Sequence, residues 1–247
     1  MATSWLHHAR RLARRLGLEV HRHNTAQSPE ARLRAMWAHH GVDGVIDVGA
    51  NDGGYGRELR QSGYRGPIVS FEPGAEAHAS LTRYASDYAH WHVMPRCALG
   101  RSAAELRLNL AANSVSSSLL TMLPAHLAAA PASATQGSEV VPVWPLDALV
   151  LPVAATRWLL KIDTQGFELQ VLEGAQRTLS QCVGVQVELS LLPLYAGQPL
   201  FDEVLKWLAQ RGFALWSVLP GFVDERSGRM LQMDGLFFRD HPLAGER

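Results

Sequence analysis

Apolar and polar positions follow three different rhythms along the chain. Residues 5–16 keep a helical period with arginine on the polar side, which predicts a short basic helix, and a His-rich polar stretch runs on to Thr25. Ser28-Pro29-Glu30 reads as an N-cap with proline at the first helical position, and Gly41 ends that helix. From residue 44 onward, short apolar runs alternate with amphipathic ones. Gly44–Val48 is a strand that stops at the glycine-rich turn Gly49-Ala50-Asn51-Asp52-Gly53-Gly54, and a helix then runs to about Gln61. Pro67–Phe71 is a second strand, stopped by Glu72-Pro73, with a helix from about Ala75 to Ser86. Trp91–Leu99 and Glu105–Leu110 are further strands. Residues 111–138, rich in Ala, Ser and Asn, read as a long loop with one helical turn, and loops of that length inside a compact domain usually serve function. Trp158–Ile162 is a near-continuous apolar run, as expected of a parallel strand covered on both faces. A helix from Phe167 to Leu179, a strand at Val183–Leu189 and an amphipathic helix at Phe201–Gln210 follow. An antiparallel pair, Phe213–Val218 and Gly235–Arg239, closes the pattern.

Repeated strand–turn–helix units imply an α/β fold: a doubly wound, mostly parallel sheet with helices on both faces and an antiparallel C-terminal strand. Ligands of such sheets bind beyond the carboxyl ends of the strands, where strand order reverses. That rule selects Asp47–Gly54, Glu72, the segment after Leu99, and Asp163–Glu168.

Composition adds an asymmetry. Basic and acidic residues number 23 each, so no global field favours nucleic acid, and no nucleic-acid partner is expected. Residues 1–40, however, hold seven arginines against two glutamates, a net of +5, and the remainder sums to −5. Three readings of this basic leader stand open: docking on the body's own acidic surface, a peripheral membrane contact, or an oligomer arm. Cys97 and Cys182 both lie in apolar strands and read as free thiols of a reducing compartment. With no apolar run near the ~20 residues that span a bilayer and no secretory leader, a cytoplasmic protein is expected. The paired histidines (His7/His8, His21/His23, His39/His40) lack ligand spacing, so no metal is assigned.

The chemistry concentrates in three segments. In I-D-V-G-A-N-D-G-G, residues 46–54, Gly49 and Gly53 let backbone pass close to a ligand, and the following helix points free N–H groups into the same space. Asp47 at the strand end would suit a cationic group such as an amino group. Glu72, 23 residues beyond Gly49, is placed to accept both hydroxyls of a ribose. The glycine spacing argues against a dinucleotide. Asn51 stands where the second glycine of G-x-G-x-x-G belongs, and an acidic residue at the strand end repels phosphate. The third segment is L-L-K-I-D-T-Q-G-F-E, residues 159–168. Lys161 must find a carboxylate, because a buried charge without a partner costs several kcal/mol, and Asp163 and Gln165 are expected to face the cleft.

Taken together, D-V-G-A-N-D-G, S-F-E-P, the A-L-G after the third strand, L-K-I-D-T-Q-G-F-E-L-Q-V-L-E-G-A and V-E-L-S resemble the FkbM-type methyltransferases over roughly residues 41–240. The resemblance implies a class I, Rossmann-like methyltransferase domain over 41–240, preceded by a basic helical extension (1–40) and followed by a short tail (241–247). It implies S-adenosylmethionine as methyl donor and O-methylation of a sugar or natural-product hydroxyl. Carried over by position, Asp47, Gly49, Ala50, Asn51, Gly53, Glu72, Asn113 and Ser117 would line the cofactor site. One departure stands out: the family segment often reads D-x-E-G, whereas this chain has Gln165.

Methyl transfer to an alcohol needs a base for the departing proton. Asp163 is the first choice, Glu188 at the end of the fifth strand the second, and His126 in the long loop the third. Gln165 and Tyr195 are expected on the acceptor side, and the partner is a small molecule. Two alternatives remain at this stage: N-methylation, which needs less help from a base, and a non-catalytic cofactor-binding module of the same fold.

Overall fold

The computed structural model describes residues 2–20 and 22–240, so the C-terminal tail, Met1 and His21 lie outside the described residues. The chain divides into two compact units, Met1–Gly41 and Val42–Arg247.

The first unit contains α1 (Ala2–Arg15) and α2 (Pro29–His40). The α2 boundaries follow from capping chemistry. Ser28 Oγ accepts the N–H of Ala31 at 3.2 Å, proline occupies the first turn, and Gly41 closes the helix in the left-handed region at φ 61°. Arg10 of α1 donates from Nε to the Val20 carbonyl and from Nη2 to Gln27 Oε1, each at 3.0 Å, tying the connecting segment back to the helix.

In the second unit, β1 (Gly44–Val48) is followed by α3 (Gly54–Gln61), β2 (Ile68–Phe71), α4 (Ala75–Ala85) and β3 (Trp91–Val93). Then come β4 (Ala98–Leu99), β5 (Ala104–Ala111), α5 (Pro124–Ala129) and β6 (Thr135–Trp144). After β7 (Trp158–Ile162) the chain forms α6 (Glu168–Glu173), α7 (Gln176–Leu179), β8 (Cys182–Ser190) and α8 (Phe201–Ala209). It ends with β9 (Phe213–Pro220), the small hairpin β10 (Val223–Asp224) and β11 (Arg229–Met230), and β12 (Gln232–Arg239). The main sheet has the order β3-β2-β1-β7-β8-β12-β9. Its first five strands run parallel, and β12 pairs antiparallel to both β8 and β9. This is the doubly wound, mostly parallel sheet the alternation predicts. β1 and β7, buried at every position, form its centre, where the chain first winds outward through β2 and β3 and then resumes on the opposite side at β7. Their carboxyl ends therefore flank the crevice.

Three segments depart from the sequence expectation. The run Trp91–Leu99 splits: β3 joins the main sheet, while β4 pairs with β6 in a separate three-stranded sheet, order β4-β6-β5. The stretch 111–138 is less open than expected. β5 reaches Ala111, α5 supplies one short helix, and β6, which the pattern hides behind Pro142, already starts at Thr135. The helix expected over 167–179 breaks into α6 and α7 at Gly174, which packs so closely on another segment that a Cβ would lie 1.9 Å from the Gly100 carbonyl oxygen. Asp147 then caps α7 from a distance, accepting the N–H of Thr178 at 2.8 Å and its hydroxyl at 2.7 Å.

Gly174 has an ordinary φ of −83°, so only the close approach demands glycine. Gly174→Ala is expected to lower stability by about 1–3 kcal/mol, the usual range for overpacking, read as a lower thermal midpoint. An unchanged midpoint would show that the Gly100 segment yields freely.

Candidate functional site

The turn after β1 is shaped by contact with the end of β7. Gly49 sits at φ 74°, and a Cβ would lie 1.8 Å from the Asp163 carbonyl oxygen. Asn51 at φ 47° and Gly53 at φ 89° continue the left-handed path into the first turn of α3. The N–H groups of Gly49 and Ala50 both donate to the Phe71 carbonyl at 3.0 Å, locking the turn to β2.

Beneath the turn lies a buried ion pair. Asp47 and Lys161 are register partners on β1 and β7. Lys161 Nζ stands 3.2 Å from Asp47 Oδ1, 3.6 Å from Asp163 Oδ2, and donates to the Gly49 carbonyl at 3.3 Å. The other Asp47 oxygen accepts the Ser70 hydroxyl at 3.3 Å, and Ser70 in turn accepts the Trp91 indole N–H at 3.0 Å. Burial alone would lower the Lys161 pKa, but the carboxylates of Asp47 and Asp163 outweigh it and hold the ammonium above its ordinary value. Asp47 is fully buried, so its carboxylate serves Lys161 rather than the open cleft.

Above the turn is a cavity. Gly49, Asn51 and Glu72 border one side, Phe71, Leu99 and Leu108 supply apolar wall, and Ser117 and Leu119 bound it from the loop after β5. Glu72 is fixed by two backbone donors, Asn51 N–H on Oε2 at 2.8 Å and Gly74 N–H on Oε1 at 2.7 Å. Burial nevertheless pushes its carboxyl up to about 7.

The turn after β7 brings Asp163 and Gln165 to the same cavity. Buried Glu168 folds this turn, its Oε1 accepting the N–H groups of Thr164 and Gly166 and the Thr164 hydroxyl at 2.9–3.1 Å. Gln165, held at φ 54°, donates from Nε2 to Asp163 Oδ1 and to Glu188 Oε2, both at 2.9 Å. Its Oε1 accepts the Tyr195 hydroxyl at 3.0 Å. Gln232 of β12 donates to the same Glu188 oxygen at 2.6 Å. Burial, with Asp163, Glu168 and Asp234 nearby, raises Glu188 well above the usual carboxylate range.

The structure thus brings Asp163, Gln165, Glu188 and Tyr195 into one hydrogen-bonded chain. Tyr195 is fully buried within it and does not open to solvent. His126 is not part of that chain. It is buried between the rings of Tyr195 and Phe222, 5.2 Å from each centroid, and burial lowers its pKa. Asn113 caps its own turn through Ser116, and it borders a second, outer groove that Glu72 shares. Ser117 Oγ accepts the Ala111 N–H and reaches the cavity wall. Among the described residues, no cluster of His, Cys, Asp and Glu could hold a metal ion.

A model of the methyltransferase FkbM domain matches residues 47–215. The chain belongs to the FkbM methyltransferase family. Membership of that family implies S-adenosylmethionine as cofactor, on the doubly wound sheet described above. Among solved structures, an FkbM methyltransferase from Methylobacillus flagellatus KT is similar at 16% identity with a TM-score of 0.47, covering 80% of this chain and 43% of its own. Magnesium protoporphyrin IX methyltransferase from Synechocystis PCC 6803, solved with bound S-adenosylmethionine, is similar at 11% identity and a TM-score of 0.46, covering 85% and 78%. The chain therefore spans less than half the length of the solved FkbM protein. No protein of curated function matches it significantly.

A polar cluster beside Lys161 is invisible to motif reading. Tyr55 donates to Gln186 Oε1 at 3.0 Å, and Gln186 donates to Asp234 Oδ2 at 2.9 Å. Lys161 Nζ lies 5.2 Å from the Tyr55 ring centroid, so α3, β8 and β12 all contribute to its surroundings. The sole trace in the sequence is polar residues interrupting apolar strands.

Removing the Lys161 charge leaves Asp47 buried without its partner. Lys161→Met is expected to destabilise by about 3–5 kcal/mol, and adding Asp47→Asn to recover a large part of that. Equal losses in single and double variants, measured by denaturant unfolding, would show that the pair is not coupled.

Proposed function

We propose that this FkbM methyltransferase transfers a methyl group from S-adenosylmethionine to a hydroxyl of a small molecule of the sugar or natural-product type. When bound, S-adenosylmethionine supplies an activated methyl group on a sulfonium sulfur. The residues present suit it. Glu72 offers a fixed carboxylate to the ribose diol, and Phe71, Leu99 and Leu108 offer an apolar slot for the adenine. The glycine-rich turn brings Gly49 and Asn51 to the cavity wall. Ser117 borders the same space, whereas Asp47 and Ala50 support the turn from below.

The observation that carries the hydroxyl reading is Asp163, whose side chain is 39% exposed at the cavity while Lys161 and Gln165 fix its position. A base must reach the proton it takes. Glu188, raised above the usual carboxylate range by burial, is engaged by the amides of Gln165 and Gln232 and does not border the cavity. His126 is enclosed by aromatic rings.

Asp163→Asn is expected to leave S-adenosylhomocysteine binding intact, measured by calorimetry, and to lower turnover of a hydroxylated acceptor by about 10²-fold or more. Retained turnover would remove Asp163 as base and favour an amine acceptor. Loss of turnover with every acceptor in the unmodified chain, despite binding, would leave a non-catalytic module.

Glu72 generates a second prediction. Its folded value, about 7, lies above that of an unfolded glutamate, so protonated Glu72 favours the fold at low pH and that contribution is lost as pH rises through 7. A diol donates to the ionised form. Affinity for S-adenosylhomocysteine is therefore expected to rise between about pH 6 and 8, and Glu72→Gln to weaken binding and flatten that rise. The same slope in Glu72→Gln would assign the proton to another group.

A further inference from the structure

The first unit carries a surface that the methyl-transfer site does not use. Residues 1–18 contain four arginines and no acidic residue. Ala9, Leu12 and Ala13 of α1, with Leu16 in the turn that follows it, recur at spacings of three and four, which stack on one helix face, while Arg10, Arg11, Arg14 and Arg15 occupy the rest. Leu12 and Leu16 are 62% and 71% exposed, and Leu18 and Val20 beyond the helix are 60% and 46% exposed. The segment bearing them is pinned to the helix by Leu18 N–H on the Ala13 carbonyl at 2.9 Å and by Arg10 on the Val20 carbonyl. Single exposed apolar residues are ordinary, but a row of them beside a basic face marks an interaction surface.

We propose that residues 9–20 bind an anionic lipid surface. The helix lies in the headgroup layer, Leu12, Leu16 and Leu18 enter the acyl boundary, and the guanidinium groups meet lipid phosphates. Arginines alone would serve nucleic acid equally well. The leucine row decides for lipid, since a phosphate backbone has no apolar phase to receive it. Residues 9–20 hold four arginines against Glu19 alone, a local net charge of +3. The inference rests on the first unit alone and is independent of the acceptor.

The full chain is to be sedimented with vesicles of phosphatidylcholine alone and of phosphatidylcholine with about a third phosphatidylglycerol. Binding is expected with the anionic vesicles only, weakened at least about tenfold in Leu12→Ser/Leu16→Ser, which keeps the charge, and in Arg11→Glu/Arg15→Glu. Both variants should keep the circular dichroism spectrum and thermal midpoint of the unmodified chain, so that lost binding is not lost folding. Absence from the anionic pellet, or equal binding by the leucine variant, overturns the proposal. So does tighter binding to a DNA or RNA duplex that the leucine variant retains, which would make the segment a polyanion site.

Discussion

The Lys161–Asp47 pair is the constraint on which the site is built. Two adjacent central strands, buried on both faces, each place one charge at the same register, and neither charge can remain there alone. Lys161 reaches Asp47 below, the Gly49 carbonyl above and Asp163 beside it. One ammonium thus ties the end of β1, the first residue of the glycine turn and the first residue after β7. The pair adds little net stability over apolar residues of similar volume, but it fixes position. The chain can set two loops from different strands against each other because a charge that must be satisfied joins them.

The same logic explains what was legible in the sequence. Gly49, Glu72 and the T-Q-G-F-E turn were readable because their chemistry is local. A left-handed φ, a strand-end carboxylate and a carboxylate folding its own turn all declare themselves within a few residues. The parallel strands were legible as uninterrupted apolar runs. β6 was not, since Pro142 breaks the run and its partner β5 lies across the intervening loop. Nor was the polar cluster of β8 and β12. Gln186, Gln232 and Asp234 lie on strands distant in sequence, and only the antiparallel register of β12 on β8 brings them together. The close approach at Gly174 was equally hidden, because the Gly100 carbonyl it meets lies on another segment. The position of His126 depends likewise on rings contributed from residues 195 and 222. Local chemistry shapes the turns that border the cavity, while the partners behind them depend on topology.

Gln165 shows why the departure from D-x-E-G matters. Its amide uses everything it has: two hydrogens, on Asp163 and Glu188, and one oxygen, on Tyr195. A glutamate at this place would have no hydrogen for either neighbour when ionised, and three carboxyl groups would crowd one buried spot beside Glu168 and Asp234. At least one would then have to keep a proton, and the charge of the cluster would vary with pH. The amide adds no third titrating group. It donates to both neighbours without gaining or losing a proton of its own, and so holds Asp163 at the cavity. In the proposed hydroxyl transfer, a neutral link of this kind presents Asp163 to the acceptor in one position, where a third carboxyl group would instead share a proton among three.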